Sequence, residues 1–214
     1  MNAIRWSWIG SNTDLLLEKT LEHVHLAGSA MLFGFLIAFP LALAAVHWPR
    51  MYGPSLAATG VAFTIPSLAL FILLIPFTGL SVTTSLIGLT IYTLLILFRN
   101  IVAGLNGVPR DISEAARAMG YTRLWQLFTV ELPVALPVIM AGVRIAAVTT
   151  IGLVTVTALI GQGGLGQLFI TGFTLHRTTP LIVGFVLSVA LAVVVDLILV
   201  GLLWLMTPWL RGRE

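Results

Sequence analysis

Five stretches of predominantly apolar residues, each long enough to cross a bilayer, dominate this 214-residue sequence. They run over residues 24–46, 56–77, 80–98, 138–160 and 181–206. A spanning helix needs about 20 mostly apolar residues at about 1.5 Å rise each. A water-soluble globule could not hide five of them. Hydrophobic residues make up 58% of the chain and charged residues only 9%, where soluble domains carry about 25% charge. A soluble enzyme, a disordered chain and an ordinary nucleic-acid-binding module are excluded. The expectation is an all-α integral membrane protein of five transmembrane helices, with residues 1–23 as an N-terminal segment and 24–214 as one membrane domain.

Within this frame the second and third spans are separated only by a Thr78-Gly79 turn, which predicts a tight antiparallel hairpin. Pro66 and Pro76 interrupt the second span. A proline leaves a carbonyl without its helical partner, and such kinks are tolerated in membranes when neighbouring hydroxyls satisfy them. Thr64 and Ser67 flank Pro66, so lining of a path and simple packing are both open for Pro66 and Ser67. Residues 1–23 carry Arg5, Asp14, Glu18, Lys19 and Glu22 and no long apolar core, so no signal peptide is expected there.

Arginine and lysine set the expected orientation. If five helices alternate, segments 47–55, 99–137 and 207–214 share one side and hold seven cations: Arg50, Arg99, Arg110, Arg117, Arg123, Arg211 and Arg213. The other side holds three, Arg5, Lys19 and Arg177. The positive-inside rule then puts the 99–137 loop and the C-terminus in the cytoplasm and the N-terminus outside. Trp6, Trp8, Trp48, Trp204 and Trp209 fall near predicted membrane ends, as an aromatic belt does.

Several chemistries are missing. There is no Cys, hence no disulfide or thiolate site, and the single Lys, Lys19, follows no glycine loop. A nucleotide-cradling P-loop needs G-x-x-x-x-G-K-[ST], so any ATP and Mg must be bound by another chain. His23 and His25 at i, i+2 point apart on a helix and make no metal set.

The 99–137 loop holds the most informative pattern. Asp111 and Glu114 have the spacing of a capping box, Pro109 precedes them, and Gly120 stands where a left-handed residue would end a helix. The spacing predicts a helix over 112–119, with Ile112, Ala115, Ala116 and Met119 on one face. Thr122 can cap a second short helix, and Leu132-Pro133 and Leu136-Pro137 are expected to break the chain before the fourth span. A two-turn helix is unstable alone in water. It either lies on its own membrane face or is presented to a cytosolic partner.

Glu114-Ala115-Ala116, three residues, Gly120, nine residues, Val130, one residue and Leu132-Pro133 resemble the EAA motif, E-A-A-x3-G-x9-I-x-L-P. That motif marks the membrane subunits of binding-protein-dependent ABC importers; only its Ile is replaced, by Val130. Residues 60–170 further resemble the osmoprotectant permeases of the glycine betaine/carnitine/choline type. The resemblance rests on Thr64-Ile65-Pro66-Ser67-Leu68-Ala69-Leu70, on 131–144 and on Ala158-Leu159-Ile160-Gly161-Gln162-Gly163-Gly164-Leu165-Gly166. Phe63 and Ile96 stand where members often have Gln and Pro.

The resemblance implies a type I importer permease without an ATPase of its own, in the plasma membrane of a prokaryote. It implies a coupling helix in the EAA loop, with Ile112, Glu114, Ala115, Ala116, Met119, Gly120, Leu132 and Pro133 meeting a cytosolic ABC ATPase. The other implied partners are an extracytoplasmic solute-binding protein or lipoprotein and a second permease subunit, the same or similar. No nucleic acid is involved. A permease for methionine or an amino acid is the alternative, and a secondary transporter a more distant one.

A few polar positions lie within the apolar frame. Arg144 and Asp196 fall inside the fourth and fifth spans, where an unpaired charge is costly. Pairing across the two helices, contact with the path, and a snorkelling Asp196 are all open. The Gly161, Gly163 and Gly164 stretch reads either as part of an outer gate, as the resemblance suggests, or as a plain connector. Tyr92 either offers a π face to a quaternary ammonium or packs between helices.

Overall fold

The computed structural model describes residues 5–209 and is all-helical over that range. The predicted cytoplasmic placement of Arg211, Arg213 and the C-terminus lies outside the described residues. A short α1 (Trp6–Ser11) precedes α2 (Thr13–His47), which begins well before the first predicted span. Next come α3 (Pro49–Thr64), α4 (Ser67–Thr78) and α5 (Val82–Asn106). The loop after α5 carries α6 (Arg110–Ala118) and α7 (Arg123–Gln126). A π-helical turn over Leu127–Glu131 leads into α8 (Leu132–Val154), which tightens to a 3₁₀ turn over Thr155–Ile160. Then α9 (Gly166–Thr174) and α10 (Thr178–Met206) complete the fold.

Among the described residues, four helical stretches are long and apolar enough to span, and the bent pair α3–α4 counts as a fifth if it crosses as one span. The bend, 96°, is near a right angle, far sharper than a proline kink within one helix. Ile65 and Pro66 are both extended, with ψ of 127° and 133°. A residue before proline is pushed out of the helical region, and Pro66 then restarts the chain as the N-cap of α4. The predicted hairpin forms: α4 ends at Thr78, Gly79 has φ 71°, and Ser81 caps α5 by accepting from the Thr84 N–H.

At the centre, α5 packs between α2 and α8. A small-residue stripe makes this possible: Ala30, Gly34, Ala38 and Ala42, at spacing four on α2, are all buried. Where lipid is as apolar as leucine, helices associate by close backbone approach, which small residues allow. At Gly34 a Cβ would lie 1.8 Å from Thr93 Oγ1, so no larger residue fits without moving α5. One core cluster gathers Leu97, Phe98, Ile101 and Leu105 of α5 against Ala38, Ala42, Ala135 and Ile139. A second gathers Leu26, Ala30, Phe71, Leu89, Ile151 and Val154 toward the other end.

Three expectations are corrected. The chain does not break at Leu132-Pro133 and Leu136-Pro137: Pro133 sits in the first turn of α8, and Pro137 lies within that helix. The preceding π turn absorbs the extra residue, so helix runs almost unbroken from Arg123 to Ile160. Arg99 is not in the loop, because α5 continues to Asn106. The sequence also puts Arg144 near the loop-side end of the fourth span, 138–160, but α8 begins earlier, at Leu132, so Arg144 lies well inside the helix.

Candidate functional site

The loop helix forms, but by different capping. α6 spans Arg110–Ala118 with Pro109 as N-cap and no side-chain cap, so the expected Asp111–Glu114 capping box is absent. Asp111 already lies inside the first turn, where its charge complements the helix dipole. The other end is as the sequence predicts. Tyr121 N–H donates to the Ala116 carbonyl at 3.2 Å and Gly120 N–H to Arg117 at 2.9 Å, a Schellman closure with Gly120 at φ 85°. Thr122 caps α7 by accepting from Trp125 N–H.

The predicted face of α6 is mostly open. Ala116 is buried, but Ile112 is 36% and Met119 68% exposed, and Glu114 and Ala115 are exposed too. Leu124, Trp125 and Phe128 beyond it are also exposed. So α6 does not bury its apolar face within this chain. Leu132 and Pro133, the far end of the pattern, are half-buried where α8 begins.

Glu131 is a residue the sequence reading did not single out. Its Oε1 accepts from Gln126 Nε2 at 2.7 Å and from Ser113 Oγ at 3.2 Å. One carboxylate thus ties α6 and α7 to the start of α8. A lone acid just before an apolar helix was the available signal. Beside it, a cleft of about 880 Å³ opens between the end of α2 and the loop helices, with His47, Arg117, Arg123 and Glu131 among its lining. Arg123 Nη1 donates to His47 Nδ1 at 2.9 Å.

Inside the membrane domain, Arg144 and Asp196 meet. Nε donates to Oδ1 at 2.7 Å and Nη2 to Oδ2 at 2.8 Å, joining α8 to α10. Near the α3–α4 break, Tyr92 Oη donates to the Ile65 carbonyl, while the Thr64 hydroxyl turns to the Val61 carbonyl. The group expected to relieve the break was a neighbouring hydroxyl; the side chain that reaches it comes from α5. Tyr92 also meets Phe63 edge to face, at 5.6 Å between centroids. Pro66 is exposed and Ser67 half-buried beside them.

The glycine stretch is no loose connector. Gly161, Gly163 and Gly164 all have positive φ, at 81°, 105° and 47°. Gly163 and Gly164 are buried, and a Cβ on Gly164 would lie 2.6 Å from both His23 N and Lys19 O. Glu22 accepts from Gly164 N–H at 3.3 Å and also holds Lys19 at 2.9 Å. Fully buried His23 sets its Nε2 2.9 Å from the Ile151 carbonyl, a geometry in which Nε2 donates. That carbonyl is available because the 3₁₀ turn redirects the Thr155 N–H to Gly152. His25 is exposed, on the other side of α2.

Among the described residues no cluster of His, Cys, Asp or Glu has a metal-binding arrangement.

Comparison with known proteins fits this geometry. The carnitine transport permease protein OpuCB of Listeria monocytogenes is 36% identical over 198 residues, covering 92% of this chain and 90% of the relative. The osmoprotectant import permease protein OsmW of Salmonella typhimurium is 36% identical over 202 residues, covering 92% and 94%. An inward-facing structure of the MetNI methionine ABC transporter superposes with a TM-score of 0.80 at 24% identity, over 91% of this chain and 97% of that one; at that identity the likeness shows the fold, that of a type I importer permease. The model of the family described as "Binding-protein-dependent transport system inner membrane component" matches residues 30–204. With most of its length inside that match, the chain belongs to this family: it is a multi-pass permease subunit of an ABC importer, not itself an ATPase.

Proposed function

We propose that this chain forms the translocation path for a quaternary-ammonium compatible solute: glycine betaine, choline or carnitine. The observation that carries the solute class is the 36% identity, over nine-tenths of both chains, to a permease named for carnitine. The path residues in this reading are Pro66, Ser67, Tyr92, Arg144, Gly161, Gly163, Gly164 and Asp196, with the tight glycine turn as part of the outer gate.

Coupling runs through α6. Its exposed Ile112 and Met119, with Glu114, Ala115, Ala116 and Gly120, dock on a cytosolic ABC ATPase that binds the ATP and Mg; Leu132 and Pro133 carry the movement into α8. The apolar face of α6, left unburied within this chain, is the surface such a partner would cover. An extracytoplasmic binding protein or lipoprotein delivers the solute, and a second permease subunit, identical or similar, completes the path. The N-terminus lies outside and the C-terminus inside a prokaryotic plasma membrane, from the arginine asymmetry.

The test is ATP-dependent uptake of labelled glycine betaine, choline and carnitine by proteoliposomes holding the whole complex. Uptake of at least one is expected. Clear methionine uptake with none of the three would replace this solute class.

A further inference from the structure

The break between α3 and α4 leaves backbone unpaired deep in the membrane domain. Tyr92, which bonds the Ile65 carbonyl, is ten residues after Val82 and fourteen before Asn106 on α5. That places it roughly 15 Å and 21 Å from the two helix ends, near mid-depth. Pro66 has no N–H, so the Ala62 carbonyl has no i+4 partner. No donor among the described residues reaches the carbonyls of Ala62, Phe63 or Thr64. Thr64 and Pro66 are exposed. Irregular backbone at such depth persists only where protein covers it or water reaches it.

The chemistry of that break is electronegative without being anionic. The C-terminus of α3 presents the negative end of its dipole and free carbonyls. Half-buried Phe63 adds an aromatic surface beside them, held in place by the edge of the Tyr92 pair. The only formal charge on α3 and α4 is Arg50, at the far end of α3. A permanent cation without N–H donors is attracted by carbonyl dipoles and π faces, and a carboxylate would risk holding it.

We infer that the α3–α4 break, with Phe63 and the carbonyls of residues 62–64, is a weak intramembrane subsite for the trimethylammonium head of the solute, facing the water-filled path. This rests on the quaternary-ammonium reading above. Tyr92 is a positioning residue: by bonding Ile65 it keeps the break open and Phe63 oriented.

The test uses the complete complex in proteoliposomes, with saturating loaded binding protein and labelled glycine betaine and choline. Position 63 is varied to Leu, to Trp, and to phenylalanine carrying one, two or three ring fluorines. Phe63→Leu is expected to lower uptake about two- to fivefold, the scale of a cation–π contact that water still reaches. The Leu variant should still assemble the complete complex in native amount, so that the loss is one of transport and not of folding. Phe63→Trp should retain uptake, and each added fluorine should lower it, because fluorine drains the ring face without changing its packing. Native uptake with Leu, equal losses in Leu and Trp, or indifference to fluorination would overturn the subsite alone. A native complex that moves methionine and none of the quaternary ammonium solutes would overturn the functional reading instead.

Discussion

Arg144 and Asp196, on helices α8 and α10, form a two-pronged ion pair with N–O distances of 2.7 and 2.8 Å. Parallel N–H donors from one planar guanidinium to both carboxylate oxygens make the strongest geometry such a pair can take. It joins α10, few of whose membrane-crossing residues are buried in the subunit, to the packed centre. Asp196→Ala alone should therefore destabilise the subunit more than Arg144→Ala/Asp196→Ala together, since the single change strands a charge in a low-dielectric setting. Thermal melts of the four members of the cycle check this, and additive losses would contradict it.

Gly120 and Glu114 should behave differently. At φ 85° with open space around its Cα, Gly120 is required for conformation and not for room. Gly120→Val should weaken α6 by about 1–2 kcal/mol, and Gly120→Asn by less, since Asn tolerates the left-handed region. Glu114 is exposed and no part of a cap, so Glu114→Ala should leave subunit stability within about 0.5 kcal/mol. Both Gly120→Val and Glu114→Ala should still reduce the ATPase that co-purifies with correctly inserted permease. Normal co-purification in both would contradict the coupling role.

The glycine turn predicts an order of sensitivity. Gly161→Ala meets nothing within 4 Å and carries only the cost of its positive φ, about 1–2 kcal/mol. Gly164→Ala must in addition push the backbone of α2 at Lys19 and His23. Its melting temperature in detergent should fall clearly below that of Gly161→Ala. Equal melting would show that the turn does not press on α2.

Orientation is open to chemical labelling, because the chain has no native Cys. Met119→Cys, at an exposed site on the α6 side, should resist an impermeant thiol reagent in intact cells and react in inverted vesicles stripped of ATPase. Leu175→Cys, exposed between α9 and α10, should do the reverse. Labelling of position 119 from outside would invert the topology.

The amino-acid sequence by itself determined the membrane class, the approximate spans, the Gly120 helix stop and the Thr122 cap. Each depends on composition or on residues within about one helical turn, where physics is local. The start of α6 is just as local, but there Pro109 and not Asp111 takes the cap position, which leaves Asp111 as an ordinary first-turn residue and Glu114 beyond that turn. Pro133 and Pro137 do not break the helix, and a π turn runs directly into α8 before them. Arg144 and Asp196 were visible as charges in apolar runs, but only the packing of α8 on α10 brings residues 52 positions apart into register. The same holds for Glu131 beneath the loop helices, for His23 on the Ile151 carbonyl and for Tyr92 on the α3–α4 break. His23 and Tyr92 each satisfy a carbonyl that another element's irregular backbone exposes, while Glu131 gathers side chains from α6 and α7; where such partners meet is a property of the packed bundle, not of any one segment.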